Sequence, residues 1–382
     1  MKLETNKWKE VKYGDYVDHI EETELNIESR KKSKFVSVEH IETGNFKIES
    51  WADEVMPTFF RKFKKGQILF GKRRAYQRKV AIADFDGICS PHIWALEARK
   101  ELNQDYLPFV MLTERFYEYV NANSAGTMSP YVKWPQLSKY TFPLPPLKEQ
   151  QQIASLFQSI ETAIEQVEGQ EGNLNSLQKS LSNGLVSNPP VFGNLLNEKN
   201  CKPLTFGKAV DCIEQHDKKP LENNITRFVG LEYIKPGNFN LQGWGNIENG
   251  TTFTKRFSKG DVLFGKRRAY LKKVAIADFN GICSGDILVF RAKEKVMLPE
   301  LLPYYSSSEA FIQKAVHTSA GSLSPRTKWK DLATFEVSIP DMKAQEKIIG
   351  VFNQLRESLN LLTKQKETLK KLKQKLLNEI LG

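Results

Sequence analysis

Residues 66–90 read GQILFGKRRAYQRKVAIADFDGICS and residues 260–284 read GDVLFGKRRAYLKKVAIADFNGICS, with 20 of the 25 positions identical. The chain is therefore a tandem duplication, and the repeat reaches well beyond this block. Trp8–Glu21 can be laid over Cys201–Glu214, and Phe35-Val36 with Gly44-Asn45-Phe46 over Phe228-Val229 with Gly237-Asn238-Phe239, at an offset of 193. Ser124-Ala125-Gly126 and Ser129-Pro130 return as Ser319-Ala320-Gly321 and Ser324-Pro325 at an offset of 195. A unit of about 190 residues is too long for a solenoid repeat and fits a whole domain.

Inside the block, Gln67–Phe70 and Lys79–Ala83 read as β-strands. Asp86-Gly87, which becomes Asn280-Gly281 in the second copy, reads as a two-residue hairpin turn at positive φ. Gln104–Asn121 and Leu298–Val316 carry apolar residues at helical spacing.

Each repeat ends in a different kind of sequence. After Pro143-Leu144-Pro145-Pro146, apolar residues recur every seventh position at Ile153, Ile160, Val167, Leu174 and Leu181, with Leu156, Ala163, Gln170 and Leu177 between them. The second copy gives Ile348, Leu355, Leu362, Leu369 and Leu376, with Val351, Ser358, Gln365 and Leu372 between, each 195 residues further on. This heptad pattern predicts a helix from Leu147 to about residue 183, on the order of 54 Å long, and an equivalent helix at the end of the chain. One apolar seam on each helix predicts that they pack on one another, with Gln170 and Gln365 as a polar seam pair that fixes register. Gly169 and Gly172 weaken the first helix by roughly 1 kcal/mol each and are candidates for a bend. The expected fold class is α+β: two tandem mixed α/β domains at 1–146 and 188–340, each followed by a long helix, 147–187 and 341–382. The helices are expected to form an antiparallel coiled coil with pseudo-two-fold symmetry.

A length of 382 residues, 40% of them hydrophobic, suffices for two cores, and the formal net charge of +11 favours a polyanionic partner such as nucleic acid. The charge is concentrated in the block. Residues 61–79 hold Arg61, Lys62, Lys64, Lys65, Lys72, Arg73, Arg74, Arg78 and Lys79 and no acid. The second copy holds Lys255, Arg256, Lys259, Lys266, Arg267, Arg268, Lys272 and Lys273 against Asp261 alone. Arg grips phosphate or the guanine edge bidentately, Lys acts as a point charge, and Tyr76 or Tyr270 can stack or bond to phosphate. In the shared Ser-Ala-Gly-x-x-Ser-Pro-x-x-Lys-Trp segment, Ser129, Lys133, Ser324, Arg326 and Lys328 are further candidates for DNA contact. A structural turn, with Trp134 and Trp329 in the core, is the competing reading.

Catalytic signatures are weak. Gly66–Lys72 and Gly260–Lys266 match G-x-x-x-x-G-K, yet Arg73 and Arg267 stand where a magnesium-binding Ser or Thr belongs, and the apolar residues between read as strand. Asn188-Pro-Pro-Val191 lacks the terminal aromatic of an adenine methyltransferase tetrapeptide and reads as linker. Cys89, Cys201, Cys212 and Cys283 form no C-x-x-C pair, so free thiols and no metal site are expected. With no signal-peptide-like start and no long apolar run, the expected location is cytoplasmic, away from membranes.

The basic block, SAGTMSPYVKW at 124–134 with SAGSLSPRTKW at 319–329, and FPLPPLKEQQQI at 142–153 entering a long helix closely resemble the specificity subunit of type I restriction-modification systems. The resemblance spans nearly the whole chain, twice. It implies a non-catalytic adaptor whose two target recognition domains each read half of a bipartite site in double-stranded DNA, with the helices as a ruler between them. It also implies recruitment of two methyltransferase subunits and then of restriction subunits. Cofactors would belong to those partners: S-adenosylmethionine, ATP and Mg, with none in this chain. The second helix entry keeps only Pro340 and Gln345 of the signature, which implies asymmetric helix ends. The diverged stretches 47–60 against 240–254, and 26–34 against 219–227, are expected to read bases, while the shared block is expected to serve as common framework and phosphate grip. A type IIB target-recognition subunit is the alternative; a catalytic chain and a coiled-coil scaffold without DNA are remoter ones.

Overall fold

The computed structural model describes residues 5–44, 46–53, 59–196 and 199–382. The chain divides into two compact units, Met1–Val167 with Lys364–Gly382, and Glu168–Thr363. Residues 54–58 of the first candidate reading stretch, and Asn45 of the repeated Gly-Asn-Phe, lie outside the described residues.

In the first unit, Val17–Ile20, Ile93–Ala98, Ile68–Gly71 and Val80–Ile82 form an antiparallel sheet in that order. A second sheet places Gly87–Cys89 between Lys34–Val36, parallel to it, and Arg61–Phe63, antiparallel. The second unit repeats the plan. Val210–Cys212, Ile287–Ala292, Val262–Gly265 and Val274–Ile276 form one sheet, and Gly245–Asn246, Arg227–Val229, Gly281–Cys283 and Lys255–Phe257 the other. The strands of the G-x-x-x-x-G-K match are fully buried, so that stretch is sheet and not a phosphate loop.

Two local expectations are corrected. The Asp86-Gly87 step does not close a hairpin, because Val80–Ile82 and Gly87–Cys89 belong to different sheets. Glycine is needed there for closeness and not for φ: a Cβ on Gly87 would lie 2.6 Å from the Phe63 ring and 2.8 Å from the Lys34 carbonyl, and one on Gly281 2.5 Å from the Phe257 ring. The preceding Asp86 and Asn280 instead accept the backbone N–H of Lys65 and Lys259, at 2.7 and 2.8 Å. The second correction concerns 104–121 and 298–316, which are broken helices. Leu107–Val110 is followed by Glu114–Ala122, and Leu302–Ser307 by Glu309–His317. The buried hydroxyls of Thr113 and Ser308 cap the later helix of each pair by accepting from Phe116 and Phe311.

The long helices run Leu147–Leu185 and Met342–Leu381. Their entries are equivalent, contrary to the asymmetry implied by the second copy's poorer signature. The buried Gln150 amide donates to the carbonyls of Pro145 and Glu101 and accepts from Asn103 N–H, while Gln345 does the same with Pro340, Val296 and Leu298. Pro340 and Gln345 are thus the part of the signature that performs this task.

The seam is also shifted from the heptad reading. Ile153, Ile160 and Val167 are buried as expected, but the second buried column is Phe157 and Ile164, four residues on and not three. In the second helix Ile348 and Leu355 are buried together with Phe352. Leu174, Leu181, Leu362, Leu369 and Leu376 are half-buried, whereas Gln170, Gln365, Leu177 and Leu372 are exposed. Gln170 and Gln365 thus each stand on an exposed face of their own helix. The polar residues of the seam are Lys373, buried and 2.7 Å from Glu161 within the first unit, and Glu171, which accepts from Thr363 at 2.9 Å within the second. Gly169 and Gly172 sit inside the continuous first helix with open space where a Cβ would go.

Each unit's core draws on both helices. In the first, Ile153, Phe157, Ile160 and Ile164 share a cluster with Leu377 and Leu381. In the second, Leu185 shares one with Ile348, Phe352 and Leu355. No helix among the described residues is long and apolar enough to cross a membrane. The four cysteines are free thiols, and burial pushes Cys89 and Cys283 up to about 12.

Candidate nucleic-acid interface

The basic loop leaves the C-terminal end of the buried strand Ile68–Gly71 and makes one 3-10 turn, Ala75–Gln77, between two left-handed residues, Arg74 at φ 53° and Arg78 at φ 54°. The second copy repeats this with Ala269–Leu271 between Arg268 at φ 52° and Lys272 at φ 51°. Left-handed non-glycine residues cost on the order of 1 kcal/mol or more each and persist only where the surroundings enforce them. Here the enforcement is visible. Arg74 N–H donates to the Pro130 carbonyl at 2.7 Å and Arg268 N–H to that of Pro325 at 2.8 Å, while Ala75 and Ala269 are buried beneath the turn. Arg78 grips Glu114 with both terminal nitrogens and lies 4.7 Å from the Tyr117 ring, and Lys272 pairs with Glu309 at 2.6 Å. These partners hold the Glu114 and Glu309 carboxyls below the usual carboxylate range.

The seventeen candidate contacts therefore separate into two groups. Arg78, Lys79, Lys272 and Lys273 spend their charged ends on the protein: Lys79 Nζ donates to the Val38 carbonyl and Lys273 Nζ to that of Leu231, both at 2.7 Å. These four hold the loop in place through the protein's own groups. Lys72 is intermediate. It is half-buried 5.2 Å from the Trp94 ring, and burial lowers its pKa ahead of the repulsion from Arg61; Lys266 is likewise half-buried. Arg61, Lys62 and Lys64 pair with Glu21, Glu24 and Glu22, and Lys255 and Arg256 with Glu214 and Asp217, so the outer charges of each basic run are offset.

The remaining residues are brought together at the surface. Arg74 Nε donates to Ser129 Oγ at 3.1 Å, Arg73 pairs through its backbone with Tyr131, and Lys133 Nζ lies 6.0 Å from the Tyr131 ring. In the second copy Ser324 Oγ accepts from Arg267 at 3.0 and 3.2 Å, Arg268 reaches the Leu323 carbonyl at 3.4 Å, and Arg326 lies across the same turn. Tyr76 and Tyr270 are 52% and 53% exposed, and Lys133 and Lys328 are exposed. The Ser-Ala-Gly segment is the turn that backs this face. Trp134 packs on Tyr13, His19 and Trp94, and Trp329 on Phe206 and Phe290, which answers the question of the tryptophans in favour of the core. The tips of the two turns carry the most exposed large apolar side chains among the described residues, Met128 at 91% and Leu323 at 89%.

Sequence reasoning missed His92 and Asp286. Arg73 Nη1 lies 3.0 Å from His92 Nε2, and burial followed by Arg73 lowers the His92 pKa, so the ring is neutral and accepts. Its counterpart Asp286 takes Arg326 at 2.6 and 3.2 Å, with Arg267 3.6 Å away. Both residues lie two positions beyond the end of the duplicated block, and their divergence was the available signal. In the first unit His92, Arg73, Arg74, Gln77, His40 and Ser37 line a cleft of about 700 Å³.

Each unit thus carries a basic loop at the end of a buried strand, Ile68–Gly71 in the first and Val262–Gly265 in the second, with Arg74 and Arg268 exposed. The family model described as the type I restriction modification DNA specificity domain matches residues 6–174 and again 212–371. The chain belongs to that family, whose matched members are specificity subunits and not the catalytic chains. The EcoDI specificity subunit of Escherichia coli is 27% identical over 68% of this chain and 66% of its own length. The MjaVIII specificity subunit of Methanocaldococcus jannaschii is 20% identical over 98% of this chain and 92% of its own. Among solved structures, the type I S subunit from M. genitalium shares the fold at a TM-score of 0.58 and 14% identity, covering 100% of this chain and 98% of that one. A chain from a study of complex assembly and conformational transition of a type I system does so at 0.59 and 17%, covering 99% and 98%.

Proposed function

We propose that this chain selects a bipartite sequence in double-stranded DNA for a type I restriction-modification complex, one half-site per unit, and recruits the methyltransferase and restriction subunits that act there. The observation that carries the reading is the duplicated arginine loop, which offers Arg73, Arg74 and Tyr76 in the first unit and Arg267, Arg268 and Tyr270 in the second from matching turns, Arg267 half-buried and the others exposed. Arginine and tyrosine donors fixed in this way suit phosphate and base edges, and two copies suit two half-sites. The long helices act as the ruler between halves. Glu161 meets Lys373 and Glu171 meets Thr363, ten residues on along one helix and ten back along the other, which supports an antiparallel pairing. S-adenosylmethionine, ATP and Mg belong to the partner subunits in this reading, and the complex works in the cytoplasm.

The test is co-expression with the methyltransferase subunit of the same system in a methylation-free host, followed by sequencing of the DNA for methylated adenine. One bipartite motif with a fixed gap, absent when this chain is omitted, is expected. Absent or uninterrupted methylation overturns the reading.

A further inference from the structure

The two units share one backbone frame around the arginine loop. Lys72 N–H meets the His92 carbonyl at 3.0 Å and Lys266 N–H that of Asp286 at 2.9 Å. His92 N–H and Asp286 N–H each donate to a serine hydroxyl, Ser90 and Ser284, at 3.2 Å. Val132 N–H and Thr327 N–H close the frame on the carbonyls of Lys72 and Lys266, both at 3.1 Å. Pro91 and the buried Val132 become Gly285 and the buried Thr327, and at the surface of the frame two side chains change together: His92 with Tyr131 in the first unit become Asp286 with Arg326 in the second.

The paired change leaves the charge where it was. Arg73 with a neutral His92 and Tyr131 amounts to one positive charge, and Arg267 with Asp286 and Arg326 amounts to one as well. Attraction to phosphate depends on that sum and is unaltered. What changes is the directed hydrogen bonding. Arg326 donates Nε–H and one Nη2–H to the Asp286 carboxylate and one Nη1–H to the Ser324 carbonyl, which leaves one N–H on each terminal nitrogen. Its side chain is 45% exposed, and the carboxylate clamp fixes the plane of the guanidinium. A planar fork with two N–H donors is the partner of guanine O6 and N7. Tyr131, 39% exposed, presents a single phenolic hydroxyl at the same place.

We infer that Arg326, held by Asp286, reads a guanine in the second half-site, and that Tyr131 with His92 makes the first half-site differ at the corresponding base. The inference rests on the bipartite reading proposed above. It moves one point of sequence choice from the diverged outer loops to the rim of the shared grip.

The experiment exchanges the pairs in the full chain, co-expressed with its methyltransferase subunit. The double variant Asp286→His with Arg326→Tyr, and the reciprocal His92→Asp with Tyr131→Arg, are read by methylation sequencing beside wild type. The first should lose the guanine requirement at one position of the second half-site only, by about 5- to 150-fold in preference. The reciprocal should impose guanine on the first half-site. Arg326→Lys, which keeps the charge and removes the fork, should relax the same position. A wild-type motif followed by an unchanged motif in the variants overturns this inference and leaves the bipartite reading standing. So does loss of all methylation by Arg326→Lys in a chain that still co-purifies with the methyltransferase subunit, because the residue is then framework or phosphate grip. Wild type without a bipartite motif overturns the parent reading instead.

Discussion

The arginine loop of the first unit and that of the second have the same backbone, down to the left-handed pair at Arg74 and Arg78 against Arg268 and Lys272, yet different side chains hold them. In the first, Arg78 clamps Glu114 bidentately over Tyr117; in the second, Lys272 makes a single contact with Glu309. In the first, Ser129 takes Arg74; in the second, Ser324 takes Arg267. The lesson is that the duplicated block preserves where the loop is, while its diverging neighbours decide which donors are left for a ligand. A sequence comparison that scores the block alone would rate the two faces as the same surface.

The comparison can be broken most forcefully in the cores. Leu377→Ala should destabilise the first unit and Leu185→Ala the second, each by about 2–5 kcal/mol, since both side chains are fully buried. Thermal unfolding with a probe in each unit should show one transition moving per variant; both moving together would mean that the units do not melt independently. Next come Arg74→Ala and Arg268→Ala. Each should weaken DNA binding across all sequences and lower the slope of log affinity against log salt by about 1, and a changed sequence choice instead would make the grip itself a reader.

Smaller effects sharpen the difference between the clamps. Arg78→Ala should cost the first unit about 1 kcal/mol, more than Lys272→Ala costs the second, because a bidentate ion pair and a ring contact go together. Equal losses in chemical denaturation would show the clamps to be equivalent. A further difference between the units is in pH. Burial holds His19 down to about 4, while Cys212 stands at the equivalent place in the second unit. The unfolded ring takes up its proton near pH 6.5 and the folded one only near 4, so the first unit should lose stability as pH falls through that window. His19→Gln should flatten the loss, and an unaltered pH profile would remove His19 as its source.

Much of the architecture was legible because duplication made it so: the repeat at 66–90 and 260–284 marked two domains, and the sevenfold apolar spacing marked both helices. The errors have physical causes. Gly87 and Gly281 look like turn glycines, but their role is to let a phenylalanine ring lie against the strand, a contact that sequence spacing does not encode. The helix seam was misread at its second column because Phe157, Ile164 and Phe352 are as apolar as Leu156 and Val351, and only the body packed alongside decides which column is covered. At the candidate interface, nine basic residues in one run and eight in the other looked alike, and the acids that neutralise or orient some of them, Glu21 and Glu114 in the first and Glu309 in the second, come from distant parts of the chain. His92 and Asp286 went unread because neither residue type advertises DNA contact.

The first unit is built from Met1–Val167 together with Lys364–Gly382, whereas the second is the unbroken stretch Glu168–Thr363. On the ribosome this inverts the calendar of folding. The domain made first must wait, with the apolar strip destined for Leu377 and Leu381 still uncovered, until Lys364–Gly382 has been translated; the domain made second has all its parts by Thr363. A stop introduced between codons 364 and 382 would thus injure the earlier domain and spare the later one.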